Sequence, residues 1–220
     1  MNDYIKINIE QIVTQISDEV NSNHFAELLA HFEKHFKDDS AAIKFEKFYF
    51  NTIQNQEYYL KNEGFFREFK KQYSLQGIDL EYLSDLESSK ETILELILNH
   101  RGTEAYLDYF AKAKVKHGKG HRTKNLGSFY AKIVHTFKPE EFCALDNPIK
   151  NYLGLKHESF FVSHFLISEA YKTWANKHQE LLSNLKTEIK KHHWSNIIDF
   201  DKLTDLKILD VIFWEKANSK

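Results

Sequence analysis

The chain has 220 residues, of which 42% are hydrophobic and 28% are charged, as in an ordinary soluble globular protein. Its 30 Lys and Arg residues against 32 Asp and Glu residues give a formal net charge of −2, which excludes a uniformly basic nucleic-acid binder but not a locally basic one. With only two prolines and seven glycines, the composition favours helices over a turn-rich β sandwich. We therefore predict an all-α fold, a compact multi-helix domain spanning residues 1–220, with a division near 100–112 as the alternative.

Apolar residues at helical spacing predict the elements in chain order. The first helix runs from Ile5 to Val20, and Ser22, Ser40 and Thr103 are expected to cap later helices. Ser89 precedes an apolar run that predicts a well-buried helix. A long helix is expected from about Ser159 to Leu182 and a last one from about Lys202 to Trp214. Between them, residues 102–154 hold five of the seven glycines and both prolines, so this central segment is expected to contain turns and close backbone approaches.

Several kinds of site are excluded or unsupported. The single cysteine, Cys143, rules out an intramolecular disulfide and a Cys-only zinc site. His24, His31 and His35 share one helical face, but apolar residues occupy the adjacent side, so we expect these histidines on a solvated flank. We predict no metal and no cofactor. The first residues do not resemble a signal peptide, and no window is apolar enough to span a membrane, so we expect a cytoplasmic protein with no membrane partner.

The charge is distributed unevenly along the chain. Residues 109–139 contain no Asp or Glu, and their lysines and one arginine give +8 over 31 residues, whereas the remaining 189 residues sum to −10. A polyanion is the natural partner of such a segment. We expect nucleic acid, DNA rather than RNA. The sequence does not determine the oligomeric state.

The centre of this basic segment contains a Gly-x-Gly sequence. A glycine-bearing turn that opens a helix lets backbone N–H groups approach a phosphate, and basic side chains nearby would add to the attraction. The alternative is a solvated lysine loop without a ligand. The candidate nucleic-acid-binding residues are Lys116, Gly118, Lys119, Gly120, His121, Arg122 and Lys124.

Downstream, an apolar run ends in Asp146, with Pro148 two residues later. An Asp followed by Pro in the first helical turn is typical of a helix N-cap, which is one sufficient explanation. The other is a carboxylate held at the edge of the core and facing the basic segment. Such a group could orient a water molecule or stabilise a developing cation.

The sequence from Gly118 through Thr123, the apolar helix after it and the run ending in Asp146 together resemble the centre of the helix-hairpin-helix DNA glycosylases. The resemblance covers about residues 115–155 and implies an all-helical fold with a central helix-hairpin-helix-like turn. It also implies DNA repair activity: Gly118 and Gly120 on the DNA backbone, Asp146 as the catalytic carboxylate, and hydrolysis of the N-glycosidic bond. His117 stands where that family usually has Pro.

Members with lyase activity carry Lys two residues after the second Gly, where this chain has Arg122. A guanidinium cannot form the Schiff base of that reaction, so the resemblance implies a monofunctional glycosylase. A different class of function also fits the sequence: a non-enzymatic helical protein that uses the basic 112–124 loop to bind RNA or an acidic protein. On that hypothesis Asp146 is only a helix cap.

Overall fold

The structure is a computed structural model that describes residues 3–36, 40–117 and 120–219, with residues 40–42, 116, 117 and 121 described without their side chains. The described residues are mostly helical, and the predicted all-α class is confirmed. The α-helices are α1 (Asp3–Glu19), α2 (Phe25–His35), α3 (Ser40–Thr52), α4 (Gln56–Lys61), α5 (Phe65–Gln72), α6 (Leu80–Ser88), α7 (Lys90–Leu98), α8 (Gly102–Ala105), α9 (Gly127–Phe137), α10 (Asn147–Tyr152), α11 (Phe160–Lys177), α12 (Gln179–Ile189) and α13 (Asp205–Asn218).

Several helices begin where a side chain accepts a hydrogen bond from a first-turn N–H group. Asp146, Ser159 and Thr204 cap α10, α11 and α13 in this way. The predicted cap at Ser22 is wrong: Ser22 lies in a short 3₁₀ turn that Asn21 caps, and α2 begins at Phe25 without a side-chain cap.

Two helix predictions need correction. Thr103 lies inside α8 rather than at its start, and a single π-helical turn, Tyr106–Phe110, follows. The long helix expected from Ser159 to Leu182 is two helices, because the chain leaves helical geometry at His178, between α11 and α12.

The central segment differs from the expected helix-hairpin-helix-like turn. Strands β1 (Ala113–His117) and β2 (Gly120–Lys124) pair antiparallel, with Val115 opposite Arg122. The alternation explains the strand: Ala113 and Val115 are buried, whereas Lys114 between them is exposed, and such a period of two fits a half-buried strand. The described residues on either side of the candidate turn are therefore paired strands, and the following helix, α9, begins only at Gly127. Gly118 and Lys119 lie outside the described residues.

The buried side chains form two apolar clusters. The first cluster joins α1 and α2 to α10–α13, and the second contains the apolar residues of α4–α8 and the base of the hairpin. Helices α3 and α9 contribute to both clusters: Tyr49 and Ala131 belong to the first, Phe48 and Phe129 to the second. These two helices therefore lie where the clusters meet. Within the described ranges, no helix combines the length and apolar character that crossing a membrane requires.

A candidate active-site cavity between the two clusters

A cavity of about 460 Å³ opens where the two apolar clusters meet. That volume is in the range of small-molecule sites. Aromatic side chains form part of its wall, among them Tyr49, Tyr73 and Trp214, and Trp214 is 40% exposed. The titratable nitrogen and carboxyl groups that line it are His35, Lys132, Asp146, Lys207 and Asp210.

Asp146 is both a helix cap and a wall of this cavity. Its Oδ1 accepts a hydrogen bond from Ile149 N at 3.0 Å, and Pro148 occupies the first turn of α10. The cap predicted from the sequence is therefore present. The same side chain is only partly buried and lines the cavity, so the cap does not remove it from solvent.

Lys132 is a buried amine beside Asp146. It lies on α9, which is buried along almost its whole length, and its Nζ donates to Ser128 Oγ and to Leu145 O, both at 2.9 Å. Burial lowers the pKa of Lys132, although the charges of Asp146 and Asp210 oppose that shift. Because Leu145 immediately precedes Asp146, the lysine also fixes the backbone that carries this carboxylate.

Asp210 is the second carboxyl group of the cavity. Its side chain on α13 is only 6% exposed. Oδ2 accepts from Ala144 N at 2.9 Å, whereas Oδ1 is buried with no hydrogen-bond partner among the described residues. Burial raises the pKa of Asp210 to about 7, with the Ala144 N–H and Lys207 acting in the opposite direction.

A buried ionic network adjoins the cavity and joins three helices. Glu46 Oε1 on α3 lies 2.7 Å from His35 Nε2 and 2.9 Å from Lys207 Nζ, and His35 Nδ1 lies 3.2 Å from Glu215 Oε1. Burial favours the neutral form of Glu46, but Lys207 and His35 outweigh it and lower its pKa to about 2. The expectation that His35 lies on a solvated flank was wrong, because α2 packs this side of the helix against α13.

Hydrogen bonds to Glu215 and Glu46 raise the pKa of His35 despite its burial. This histidine is therefore part of an ionic network with carboxylates. No group of three or more His, Cys, Asp or Glu residues in the described parts of the chain is arranged to hold a metal ion.

Two of the described basic side chains of the hairpin lie in solvent. Lys114 and Arg122 are exposed, and Gly120 is exposed with open space where a Cβ would stand. Lys116 and His121 are paired in the register of the two strands, and nothing is described of their side chains. Gly118 and Lys119 are not among the described residues.

Lys124 connects the hairpin to the cavity wall. Its Nζ donates to Gln76 O at 3.1 Å, and Gln72, Tyr73 and Ser74 of the same segment line the cavity. The base of the basic hairpin is therefore bonded to the chain two residues beyond Ser74, where this segment leaves the cavity wall.

Sequence reasoning singled out Asp146 but not the charged residues around it. The sequence predicts nothing for Lys132 beyond its place in the basic segment of residues 109–139, and nothing for Asp210. A signal was present in both cases: Lys132 stands between Ala131 and Ile133, and Asp210 between Leu209 and Val211. A charged residue inside an apolar helical run is buried only when partners compensate it, and such positions are candidates for function.

Comparisons of this chain with protein-family models, with curated proteins and with solved structures find no match.

Proposed function

We propose that this protein is a DNA glycosylase of base-excision repair in which Asp146 is the catalytic carboxylate. One observation carries the proposal: Asp146, Lys132 and Asp210 line a single cavity, and the basic hairpin is hydrogen-bonded to Gln76, two residues beyond Ser74 of the cavity wall. A site for a small planar group and a surface for a polyanion thus adjoin each other.

The cavity suits a nucleotide rotated out of the DNA stack. Enzymes that act on a base in duplex DNA must extrude it, at a cost of a few kcal/mol that is lowest for damaged bases. Aromatic rings can stack on the extruded base, and Tyr73 and Trp214 are available in the wall. The polar groups Gln72 and Ser74 add hydrogen-bonding capacity on one side.

Asp146 would act on the sugar. Cleavage of an N-glycosidic bond builds positive charge on the deoxyribose ring, and a carboxylate close to it stabilises that charge and can accept a proton from the attacking water. The hydrogen bond from Ile149 N fixes the carboxylate, and Lys132 fixes the preceding carbonyl group. Such preorganisation is what electrostatic stabilisation of a transition state requires.

The hairpin would hold the DNA backbone. Lys114 and Arg122 carry exposed positive charge on a chain that is otherwise acidic, and contacts of this kind supply most of the sequence-independent affinity for DNA. The backbone N–H group of Gly120 is also a candidate for phosphate contact, although Gly120 begins strand β2 and not a helix.

The test is excision by Asp146→Asn, measured as base release from duplexes that each carry one altered base: uracil, hypoxanthine or N7-methylguanine. Asparagine still accepts from Ile149 N, so the helix cap is kept. We expect excision to fall at least about 100-fold, while affinity for a duplex with an abasic-site analogue is retained. The matched control is Asp79→Asn, at the Asp cap of α6, which should excise like the wild type.

Other outcomes would identify other functions. Normal turnover by Asp146→Asn would end the catalytic role of this residue. If the wild type binds no duplex even at low salt, the hairpin serves another partner, as in the non-enzymatic hypothesis. A covalent adduct trapped with borohydride on abasic DNA, and lost in Lys132→Gln, would identify a lyase rather than the monofunctional enzyme that Arg122 implies.

A further inference from the structure

Two carboxyl groups line the cavity, and their surroundings differ. Asp146 is partly exposed, its Oδ1 is engaged by Ile149 N, and Lys132 stands beside it. Asp210 is nine-tenths buried, and its Oδ1 has no hydrogen-bond partner among the described residues. A pair of carboxyl groups in unlike surroundings is the arrangement by which glycosidic bonds are commonly hydrolysed, with one group ionised and the other protonated.

Two other titratable groups of the wall, His35 and Lys207, already have ionic partners. His35 lies between Glu46 and Glu215, and Lys207 donates to Glu46. A proton moved from either would remove one of the cations that hold the buried Glu46 ionised, which is costly. Asp210 has no ionic or hydrogen-bond partner at Oδ1 among the described residues, because its one hydrogen bond, from Ala144 N, goes to Oδ2.

We propose that Asp210 is the general acid that protonates a neutral base as it leaves the sugar, so that the substrates of this site include uncharged damaged bases. The inference rests on the proposed glycosylase function and adds to it the class of leaving group and a second catalytic residue.

The bond between C1′ and the base nitrogen breaks, and its electron pair leaves with the base, which takes the proton from Asp210. The oxygen of a water molecule forms the new bond to C1′, and the proton that it loses passes to the Asp146 carboxylate. Proton exchange with solvent then returns Asp146 to its ionised form and Asp210 to its protonated form.

The charges around Asp210 set the direction of the pH dependence. Several charged or titratable groups interact electrostatically with Asp210. They are Lys207 on its own helix, Lys132 on α9, Tyr49 on α3, Tyr73 after α5, Asp146 and Cys143 before α10, and Tyr171 on α11. Burial outweighs the two lysines and raises the pKa of Asp210 to about 7. The protonated fraction therefore falls as pH rises through 7, and excision of neutral bases should fall with it.

The experiment compares leaving groups in the wild type and Asp210→Asn, under single-turnover conditions and across pH 5.5–8.5. N7-methylguanine in duplex DNA leaves readily because it is already cationic, whereas hypoxanthine and uracil are neutral. We expect the wild type to release a neutral base, and Asp210→Asn to release it about 100-fold or more slowly. Release of N7-methylguanine should fall less than tenfold, which also shows that the variant is folded.

Three results would overturn the proposal while leaving the glycosylase function intact: equal loss on both kinds of base, no loss on either, or a wild type that releases only N7-methylguanine. No release of any base by the wild type would remove the proposed function, and the general acid with it. If Asp210→Asn does not fold, the ¹³C carboxyl resonance of Asp210 in the wild type decides. A midpoint near pH 7 is expected, and one below about 5, close to an ordinary carboxyl group, contradicts the proposal.

Discussion

Two glycines of the central segment have opposite steric surroundings. At Gly127, the first residue of α9, an added Cβ would lie 2.6 Å from Phe160 Cβ, whereas at Gly120 in the hairpin it would meet nothing within 4 Å. A β-carbon cannot rotate away, so the close approach of α9 to α11 depends on the missing side chain at Gly127. The sequence pattern drew attention to Gly118 and Gly120, yet Gly127 is the position where packing requires glycine.

We therefore expect Gly127→Ala to lower the free energy of unfolding by about 1–3 kcal/mol, the usual cost of overpacking a core. Gly120→Ala is the control, at an exposed position without a steric conflict, and should change stability by less than about 1 kcal/mol. Urea unfolding of both variants measures the difference. Equal stabilities would mean that α9 and α11 separate at no cost.

At the scale of elements, the network of Glu46, His35 and Lys207 ties α3 to α2 and α13 beside the cavity. Removing one partner of a buried ion pair leaves the other charge uncompensated. We expect Glu46→Gln to lower the free energy of unfolding at pH 6 by about 3–5 kcal/mol, by chemical denaturation. The control is Glu57→Gln, in the exposed ion pair with Lys61 on α4, which should leave stability nearly unchanged.

The pH dependence of this effect has a defined sign. The pKa of Glu46 falls from its ordinary 4.5 to about 2 on folding, so its contribution is present above pH 4.5 and is lost as pH falls from there towards 2. The pKa of His35 is raised, so its contribution is complete below its ordinary 6.5 and declines as pH rises through the folded-state value. The stability difference between wild type and Glu46→Gln should therefore shrink on acidification below 4.5. A constant difference would mean that Glu46 is not ionised in the native protein.

At the scale of the whole molecule, residues 109–139, which include the hairpin, have a net charge of +8, whereas the remaining residues sum to −10. Since Lys132 is buried and Lys124 is bonded to Gln76, the exposed Lys114 and Arg122 are the described hairpin charges best placed for phosphate contact. The hairpin should therefore orient a polyanion next to the cavity.

The double variant Lys114→Glu/Arg122→Glu should weaken duplex binding at every salt concentration. The slope of log affinity against log salt should become shallower by about two, one for each lost phosphate contact. Lys6→Glu, a single charge reversal of the same kind at an exposed position of α1, is the control and should keep the wild-type slope. Fluorescence anisotropy across a salt series measures both. An unchanged slope in the double variant would place the DNA elsewhere on the surface.

The helical class, most helix positions, the basic segment and the cap at Asp146 could be predicted from the sequence, because each depends on neighbours within a few residues. Glycine and proline content limits turns, and apolar spacing marks the buried face of a helix. The hairpin could not be predicted because its strands have only five residues each and only β1 alternates lysines with apolar residues, which is a weak signal; pairing between the strands stabilises them.

The set of side chains that line the cavity follows from packing between distant parts of the chain. The cavity is lined by residues of different elements, among them Lys132, Asp146 and Asp210. They lie near one another because α3 and α9 pack into both apolar clusters. Whether a buried lysine or aspartate is ionised or neutral depends on partners far away in sequence, such as Ala144 N for Asp210. Local structure and the distribution of charge can be read from the sequence, whereas the ionisation of the cavity's side chains depends on desolvation and non-local pairing, which exist only in the folded chain.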